Sequence, residues 1–430
     1  MIKIGIISLG CAKNLVDSEM ILGMLKKGNY EIVTKPEAAD GIIINTCGFI
    51  NDAKQEAIDT ILEMSKYNKK LIVVGCLVQR YEKELKEQLP EVDLFVPIRD
   101  YATLHDRINT LFEDSSLNSG ICPTNRILST PPFTAYLRIS DGCDNCCSYC
   151  AIPLIRGGFR SRKLNELIEE TQLLVKKGIK ELVVISQDTT RYGSDFKDGT
   201  TIVTLLKKLL EFKELDYIRM LYLYPSEVTD ELLELISKEK RLTPYFDLPI
   251  QHASSKILNK MHRRGDKEYL YSLFKKIRDV VPNAILRTTV IVGFPGETES
   301  DFQELLEFVQ KIKFDHLGVF KYSREEDTLA YKMHSQVNEK TKNDRYNELM
   351  SLQRKISYEL NKTHLGEIME GLVVAETFNG EYELRSGWNA PDDVDGKIII
   401  SSSYPLKIGQ KIKVKITSVL AYDLYGVVVF

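Results

Sequence analysis

A chain of 430 residues, 43% of them hydrophobic, is long enough for two or three domains with their own cores, which excludes a disordered or fibrous protein. A formal net charge of -3 excludes the global nucleic-acid footprint of a basic domain or stripe. No apolar run approaches membrane-spanning length, and Met1-Ile-Lys-Ile-Gly-Ile-Ile-Ser8 enters a strand pattern without the order of a signal peptide, so a cytoplasmic location is expected. Cysteines in that compartment more often ligate metals or catalyse than form disulfides.

The first domain is expected over residues 1–125. Ile2 to Leu9, Gly41 to Asn45 and Leu71 to Val74 are short, β-branched runs, each followed by helix-like sequence, and this alternation predicts a parallel α/β sheet. Each run leads into a cysteine: Cys11, Cys47 and Cys76, beside Gly10, Gly48 and Gly75. Strand carboxyl ends share one edge of a parallel sheet, where ligands bind, so the three sulfurs are expected to meet. A cysteine taken singly also reads as core filling. Three sulfurs are one short of a four-iron cubane, which makes a cluster with an open iron the economical expectation. Lys13 to Lys27 reads as a helix, and Asp17, Ser18 and Glu19 as helix-start chemistry. The breaker-rich stretch from Asp114 to Pro132 reads as a linker, with Cys122 an unpaired thiol inside it.

The central domain is expected over residues 133–360. Strand patterns at Thr134 to Ser140, Glu181 to Ser186, Tyr217 to Tyr224, Tyr245 to Leu248, Ile285 to Val292 and His316 to Tyr322 alternate with helices, the first from Leu164 to Lys177. Six β/α units predict a parallel sheet, open or closed into a partial barrel, with function on the loops after the strands. The first such loop, Asp141-Gly-Cys-Asp-Asn-Cys-Cys-Ser-Tyr-Cys150, holds four of the eight cysteines. Cys143-x3-Cys147-x2-Cys150 aims three soft thiolates at one point, as an iron-sulfur cluster requires, while Cys143-x2-Cys146 also fits a zinc or redox pair. Later loops carry Ser186-Gln-Asp-Thr-Thr190, Pro249-Ile-Gln-His252 and Val292-Gly-Phe-Pro-Gly-Glu297. These also read as a hydrogen-bonded loop, a structural histidine and a turn opening the helix at Glu299.

Residues 364–430 form the third expected domain. Ile368 to Ala375, Tyr382 to Arg385, Lys397 to Ser401, Lys411 to Val419 and Leu424 to Phe430 read as five short strands and predict a small β-barrel. Arg385, Lys397, Lys407, Lys411, Lys413 and Lys415 stand against Glu367, Glu370, Glu376, Glu381, Glu383, Asp392, Asp393, Asp395 and Asp423, six bases to nine acids. RNA binding depends on neutralising phosphates, so this balance favours a basic protein partner over RNA. Phe378, Tyr382 and Trp388 fit either interface anchors or barrel core.

The loop of Cys143, Cys147 and Cys150 resembles the signature of radical S-adenosylmethionine enzymes. With the three N-terminal cysteines and the small C-terminal barrel, the whole chain resembles the methylthiotransferases among them. The resemblance implies two [4Fe-4S] clusters, one on Cys143, Cys147 and Cys150 and one on Cys11, Cys47 and Cys76, with Cys146 outside the ligand set. It implies an N-terminal parallel α/β domain, a central radical-SAM partial (β/α)6 barrel and a C-terminal TRAM barrel. Tyr149, Gln187 and Gly293 are expected to contact S-adenosylmethionine.

Ser8-Leu-Gly-Cys-Ala-Lys-Asn-Leu-Val-Asp-Ser-Glu19, Asn45-Thr-Cys-Gly-Phe-Ile50, Ser186-Gln-Asp-Thr-Thr190, Leu221-Tyr-Leu-Tyr-Pro225 and Arg287-Thr-Thr289 are similar to the branch that methylthiolates an aspartate β-carbon of small-subunit ribosomal protein twelve, with methylthiolation of tRNA adenosine by the same chemistry as the alternative. A flavodoxin- or ferredoxin-like reductant is implied. A non-enzymatic iron-sulfur or zinc protein is the alternative from another class.

Overall fold

The three strands expected in the first domain form as β1 (Ile2–Ser8), β3 (Gly41–Thr46) and β4 (Lys70–Gly75), flanked by two shorter ones, β2 (Tyr30–Ile32) and β5 (Leu94–Pro97). The structure, a computed structural model, describes residues 1–391 and 394–429. It comprises one unit of Met1–Thr130, Arg138–Leu173 and Ser323–Thr328, and a second of Pro131–Leu137, Leu174–Tyr322 and Leu329–Phe430.

In the first unit all five strands are parallel, in the order β2-β1-β3-β4-β5. Every residue of β3 is buried, as expected of a central strand covered on both faces. The period-2 alternation divides its side chains between two cores. Ile42 and Ile44, with Leu71 and Val73, pack against α2 (Asn51–Ser65) and α3 (Cys76–Gln88). Ile43, with Ile72 and Val74, packs against α1 (Ala12–Leu25) and α4 (Leu104–Phe112). The two edge strands have three and four residues, too few for periodicity to reveal.

The stretch from Asp114 to Pro132 is not a loose linker. Asn125 donates from Nδ2 to the Gly23 carbonyl at 2.8 Å, and a Cβ on Gly23 would lie 1.6 Å from the Asn125 oxygen. Arg126, 2% exposed, lies between Glu19 at 3.3 Å and Glu170 at 3.1 Å. A breaker-rich composition marks a chain without regular structure, but it does not reveal that distant acids bury its arginine.

After β6 (Thr134–Arg138) come β7 (Ser140–Asp141), the cysteine loop, α5 (Ile152–Arg156), β8 (Arg160–Ser161) and α6 (Leu164–Lys176). β7 and β8 pair antiparallel and clamp the base of the loop.

The second unit continues through β9 (Glu181–Ile185), α7 (Ile202–Leu209), β10 (Tyr217–Met220), α8 (Asp230–Lys238), β11 (Tyr245–Asp247), α9 (Ser255–Lys260), α10 (Lys267–Val280), β12 (Ile285–Val292), α11 (Glu299–Ile312), β13 (His316–Lys321) and α12 (Glu339–Thr363). Its strands form β10-β9-β6 and β11-β12-β13. The two runs are linked by hydrogen bonds from Thr243 N–H to the Ile218 carbonyl and from Leu223 N–H to that of Asp247. The strand expected to reach Tyr224 ends at Met220, because Tyr222 turns to φ +62° and donates its N–H to the Asp247 carboxylate.

β14 (Ile368–Glu376), β15 (Tyr382–Ser386), β16 (Ile398–Ser401), β17 (Lys411–Val419) and β18 (Leu424–Val429) close into a barrel in the order β14-β15-β16-β18-β17. Phe430, expected in the last strand, and the acids Asp392 and Asp393 lie outside the described residues. Tyr382 and Trp388 are buried, Trp388 with its ring against His316 of β13 and His364 at centroid distances of 4.8 and 6.5 Å, whereas Phe378 is fully exposed. The barrel is fastened by buried charge: Glu181 accepts from Arg219, Arg385 and Thr134 at 3.3, 3.3 and 3.0 Å.

Candidate cluster-binding site

In the order β2-β1-β3-β4-β5 the strand succession reverses between β1 and β3, and ligands of such sheets bind at the carboxyl ends beside that reversal. Cys11, Cys47 and Cys76 follow β1, β3 and β4, so all three stand at that edge. Two also start helices: Cys11 is the N-cap of α1 and Cys76 the first residue of α3, positions whose backbone dipoles favour thiolate. Cys11 is exposed, Cys47 half-buried and Cys76 buried.

The three thiols influence one another. Burial raises the Cys47 thiol above its ordinary value, with Cys11 adding to the rise, while Arg156 opposes it. Burial pushes Cys76 up to about 12, again opposed by Arg156 and reinforced by Cys47 and Cys11. Deprotonated together, three sulfurs at one sheet edge need a cation or an iron cluster to neutralise them. Glycine makes the room: at Gly10, φ +88°, a Cβ would lie 2.7 Å from Cys47 Cβ and 3.1 Å from its sulfur.

Asn14 organises this edge. Its Nδ2 donates to the carbonyls of Leu9 and Thr46, both at 3.1 Å, and its Oδ1 accepts from the Cys76 thiol at 3.3 Å. One buried amide therefore touches all three strand ends. Arg156 Nη2 reaches the same Oδ1 at 2.9 Å, Asp17 at 2.7 Å and Cys76 Sγ at 3.8 Å. Asp17 also holds Arg138 at 2.6 Å. Asp17 and Glu19 are thus buried ion-pair partners and not helix-start acids, while Ser18 donates to Ser8 and accepts from Asn45. The sequence showed their place on a helix but not which face was covered.

The second triad lies in the same unit. Cys143, Cys147, Cys150 and Tyr149 are half-buried. Asn145 N–H donates to Cys143 Sγ and Ile152 N–H to Cys150 Sγ, both at 3.5 Å, the kind of bond that supports a thiolate ligand. Cys146 is exposed at φ +52°, turning the chain between Cys143 and Cys147. Gly142 cannot carry a Cβ, which would lie 2.1 Å from the Gly158 carbonyl, so the loop returns tightly to its base. Among the described residues no Cys, His, Asp and Glu group converges tightly enough to hold a metal ion, so the assignment of ligands rests on placement and donor chemistry.

Gln187 and Gly293 belong to the second unit. Gln187 is half-buried in a loop knit by Thr189, which donates to the Leu221 carbonyl, and Thr190, which donates to Asp188. Gly293, φ +74°, has no room for a side chain beside Lys342, and Glu297 accepts the N–H groups of Gly293 at 2.7 Å and Phe294 at 3.1 Å. Burial raises Glu297 to about 7 despite the opposing Arg345. His252 is fully buried and held by burial at about 3, accepting the Ser254 N–H at Nδ1, which makes it a neutral structural group. Thr298 caps α11, as the turn reading expected.

Residues 137–309 match the model of the radical SAM superfamily, and the central β/α series with its cysteine loop is that class of protein. Residues 3–97 match an uncharacterized protein family, UPF0004, and residues 365–429 a TRAM domain. The chain is 46% identical to the ribosomal protein uS12 methylthiotransferase RimO of Clostridium novyi and 48% to that of Clostridium kluyveri, in each case over 99% of this chain and 98% of the relative. It belongs to the family of ribosomal protein uS12 methylthiotransferases. The radical S-adenosylmethionine methyltransferase TsrM from Kitasatospora setae shares the fold, with a TM-score of 0.58 at 11% identity over 86% of this chain and 80% of that one. The cobalamin-dependent S-adenosylmethionine radical enzyme OxsB has a TM-score of 0.51 at 13% identity, over 83% of this chain and 56% of that one.

Proposed function

We propose that this chain methylthiolates an aspartate β-carbon of ribosomal protein uS12, using S-adenosylmethionine both for methyl transfer and for radical activation of the C–H bond. The observation that carries the proposal is the pair of three-cysteine groups within one unit of a chain of this family. Cys143, Cys147 and Cys150 would hold one [4Fe-4S] cluster, and Cys11, Cys47 and Cys76 the other, each with one iron open. When bound, these groups supply hydrogen abstraction from an unactivated carbon and the sulfur to be inserted, chemistry that protein side chains do not provide.

The chain's own residues order and shield those groups. Asn14 fixes the three strand ends, the β7–β8 clamp closes the base of the cysteine loop, Gly142 lets that loop return against Gly158, and Gly10 brings backbone close to the Cys47 sulfur. Tyr149, Gln187 and Gly293 would contact S-adenosylmethionine. The domain boundaries would fall at 1–125, 133–360 and 364–430.

A ribosomal protein substrate supports a cytoplasmic location; among the described residues no helix is long and apolar enough to cross a membrane. Electrons would come from a flavodoxin- or ferredoxin-like donor. The C-terminal barrel, with more acids than bases, would receive the basic protein and not RNA. Reconstituted enzyme incubated separately with uS12 and with tRNA tests the substrate. A methylthio mass gain on the ribosomal protein is expected, and a gain on tRNA alone would overturn the assignment.

A further inference from the structure

We infer that Arg156 is the positioning residue that sets the reduction potential of the site formed by Cys11, Cys47 and Cys76, and that it does so from the loop of the other triad. The inference rests on the ligand assignment proposed above.

Arg156 is the last residue of α5, which begins two residues after Cys150. Its backbone is tied to the cysteine loop: the Cys143 N–H donates to the carbonyl of the next residue, Gly157, at 3.1 Å, and Gly157 N–H donates to the Pro153 carbonyl. Its side chain, 2% exposed, leaves that loop for the edge of the N-terminal sheet. There a single nitrogen, Nη2, serves Asn14, Asp17 and Cys76, while Nη1 stands 3.5 Å from Asp141.

Two carboxylates, Asp17 and the part-exposed Asp141, face the two guanidiniums of Arg138 and Arg156, and of these groups it is Arg156 that reaches a sulfur, 3.8 Å from Cys76 Sγ. A cation therefore lies beside one ligand sulfur in a dry site. An iron-sulfur cluster on three thiolates is anionic and becomes more so on reduction, and its potential follows net charge, hydrogen bonds to sulfur and solvent exposure. A buried guanidinium near Cys76 favours the reduced form. Lysine keeps the charge but lacks the second nitrogen, Nη1, that reaches Asp141 while Nη2 serves Asn14, Asp17 and the sulfur.

The test uses reconstituted full-length holoenzyme, native and with Arg156→Gln, Arg156→Lys or Asp17→Asn. Iron is counted first, with about eight per chain expected for two four-iron clusters. An EPR-monitored redox titration follows, and the signal that S-adenosylmethionine leaves unchanged is assigned to Cys11, Cys47 and Cys76. At the native midpoint, Arg156→Gln is expected to lower the reduced-to-oxidised ratio of that cluster about tenfold, 59 mV for one electron. Arg156→Lys retains most of the native ratio, and Asp17→Asn, which deletes an opposing charge while keeping shape, moves it the other way. An unchanged ratio in Arg156→Gln at full iron content overturns the role of Arg156, as do shifts of the same sign in Arg156→Gln and Asp17→Asn. Native protein with only about four irons overturns the ligand assignment itself, and the inference with it.

Discussion

Asp17→Ala should destabilise the N-terminal unit. The carboxylate is 2% exposed and holds two guanidiniums, Arg138 at 2.6 Å and Arg156 at 2.7 Å, whose side chains are 12% and 2% exposed. Truncating one partner of a buried ion pair costs about 3–5 kcal/mol, because the remaining charge stays buried without compensation. Here Arg156 keeps Asn14 at 2.9 Å, which places the expected loss at the lower end, about 3 kcal/mol. With urea slopes of roughly 1–3 kcal/mol per molar, the unfolding midpoint should fall by about 1 M or more.

Far-UV circular dichroism follows both units, whereas fluorescence of the single tryptophan, Trp388, reports the second. The dichroism transition should move and the fluorescence transition should move less. A double-mutant cycle with Arg138→Met should return a coupling of about 0.5–3 kcal/mol, as expected for residues in one network. A loss below about 1 kcal/mol with no coupling would refute the view that Asp17 neutralises buried charge.

Cys143→Ala should abolish reductive cleavage of S-adenosylmethionine, while Cys47→Ala should spare cleavage and stop sulfur insertion; equal loss of cleavage in both would overturn the division of labour between the triads. Gly23→Ala should cost about 3 kcal/mol or more in chemical denaturation, since its Cβ would lie 1.6 Å from the Asn125 carbonyl oxygen and only a backbone shift relieves it. His252 titrates near 3 in the fold against an ordinary 6.5, so the unfolded chain binds the extra proton and this group's contribution to stability is lost as pH falls from about 6.5 to 3. Glu297, raised to about 7, has the opposite sign: its proton is retained in the fold, and stability falls as pH rises from 4.5 to 7. Native protein should therefore gain stability over His252→Gln as pH rises from 3 to 6.5, by up to roughly 5 kcal/mol, in melts of the apo-protein; a pH-independent difference would count against the buried neutral imidazole.

The sequence by itself located the cysteine-rich loop, the three cysteines at strand ends, the strands that precede them and the order of the three regions, because cysteine positions, β-branched runs and turn residues are local signals. Strand β3 was legible since a strand covered on both faces is hydrophobic throughout, and a five-stranded barrel since alternation recurs at short intervals. Strands β2 and β5 were not, being too short to show a period. Only the tertiary structure decided what the charged residues do. Asp17, Glu19, Arg126 and Arg156 have the composition of an ordinary helix surface and linker, yet each is buried against distant partners, 107 positions away for Arg126 and Glu19 and 139 for Arg156 and Asp17. Local pattern records whether a residue can be solvated, whereas pairing across the chain fixes whether it is. The same holds for Asn14, one amide on a helix, which becomes the centre of the cysteine edge only when β1, β3 and β4 end together.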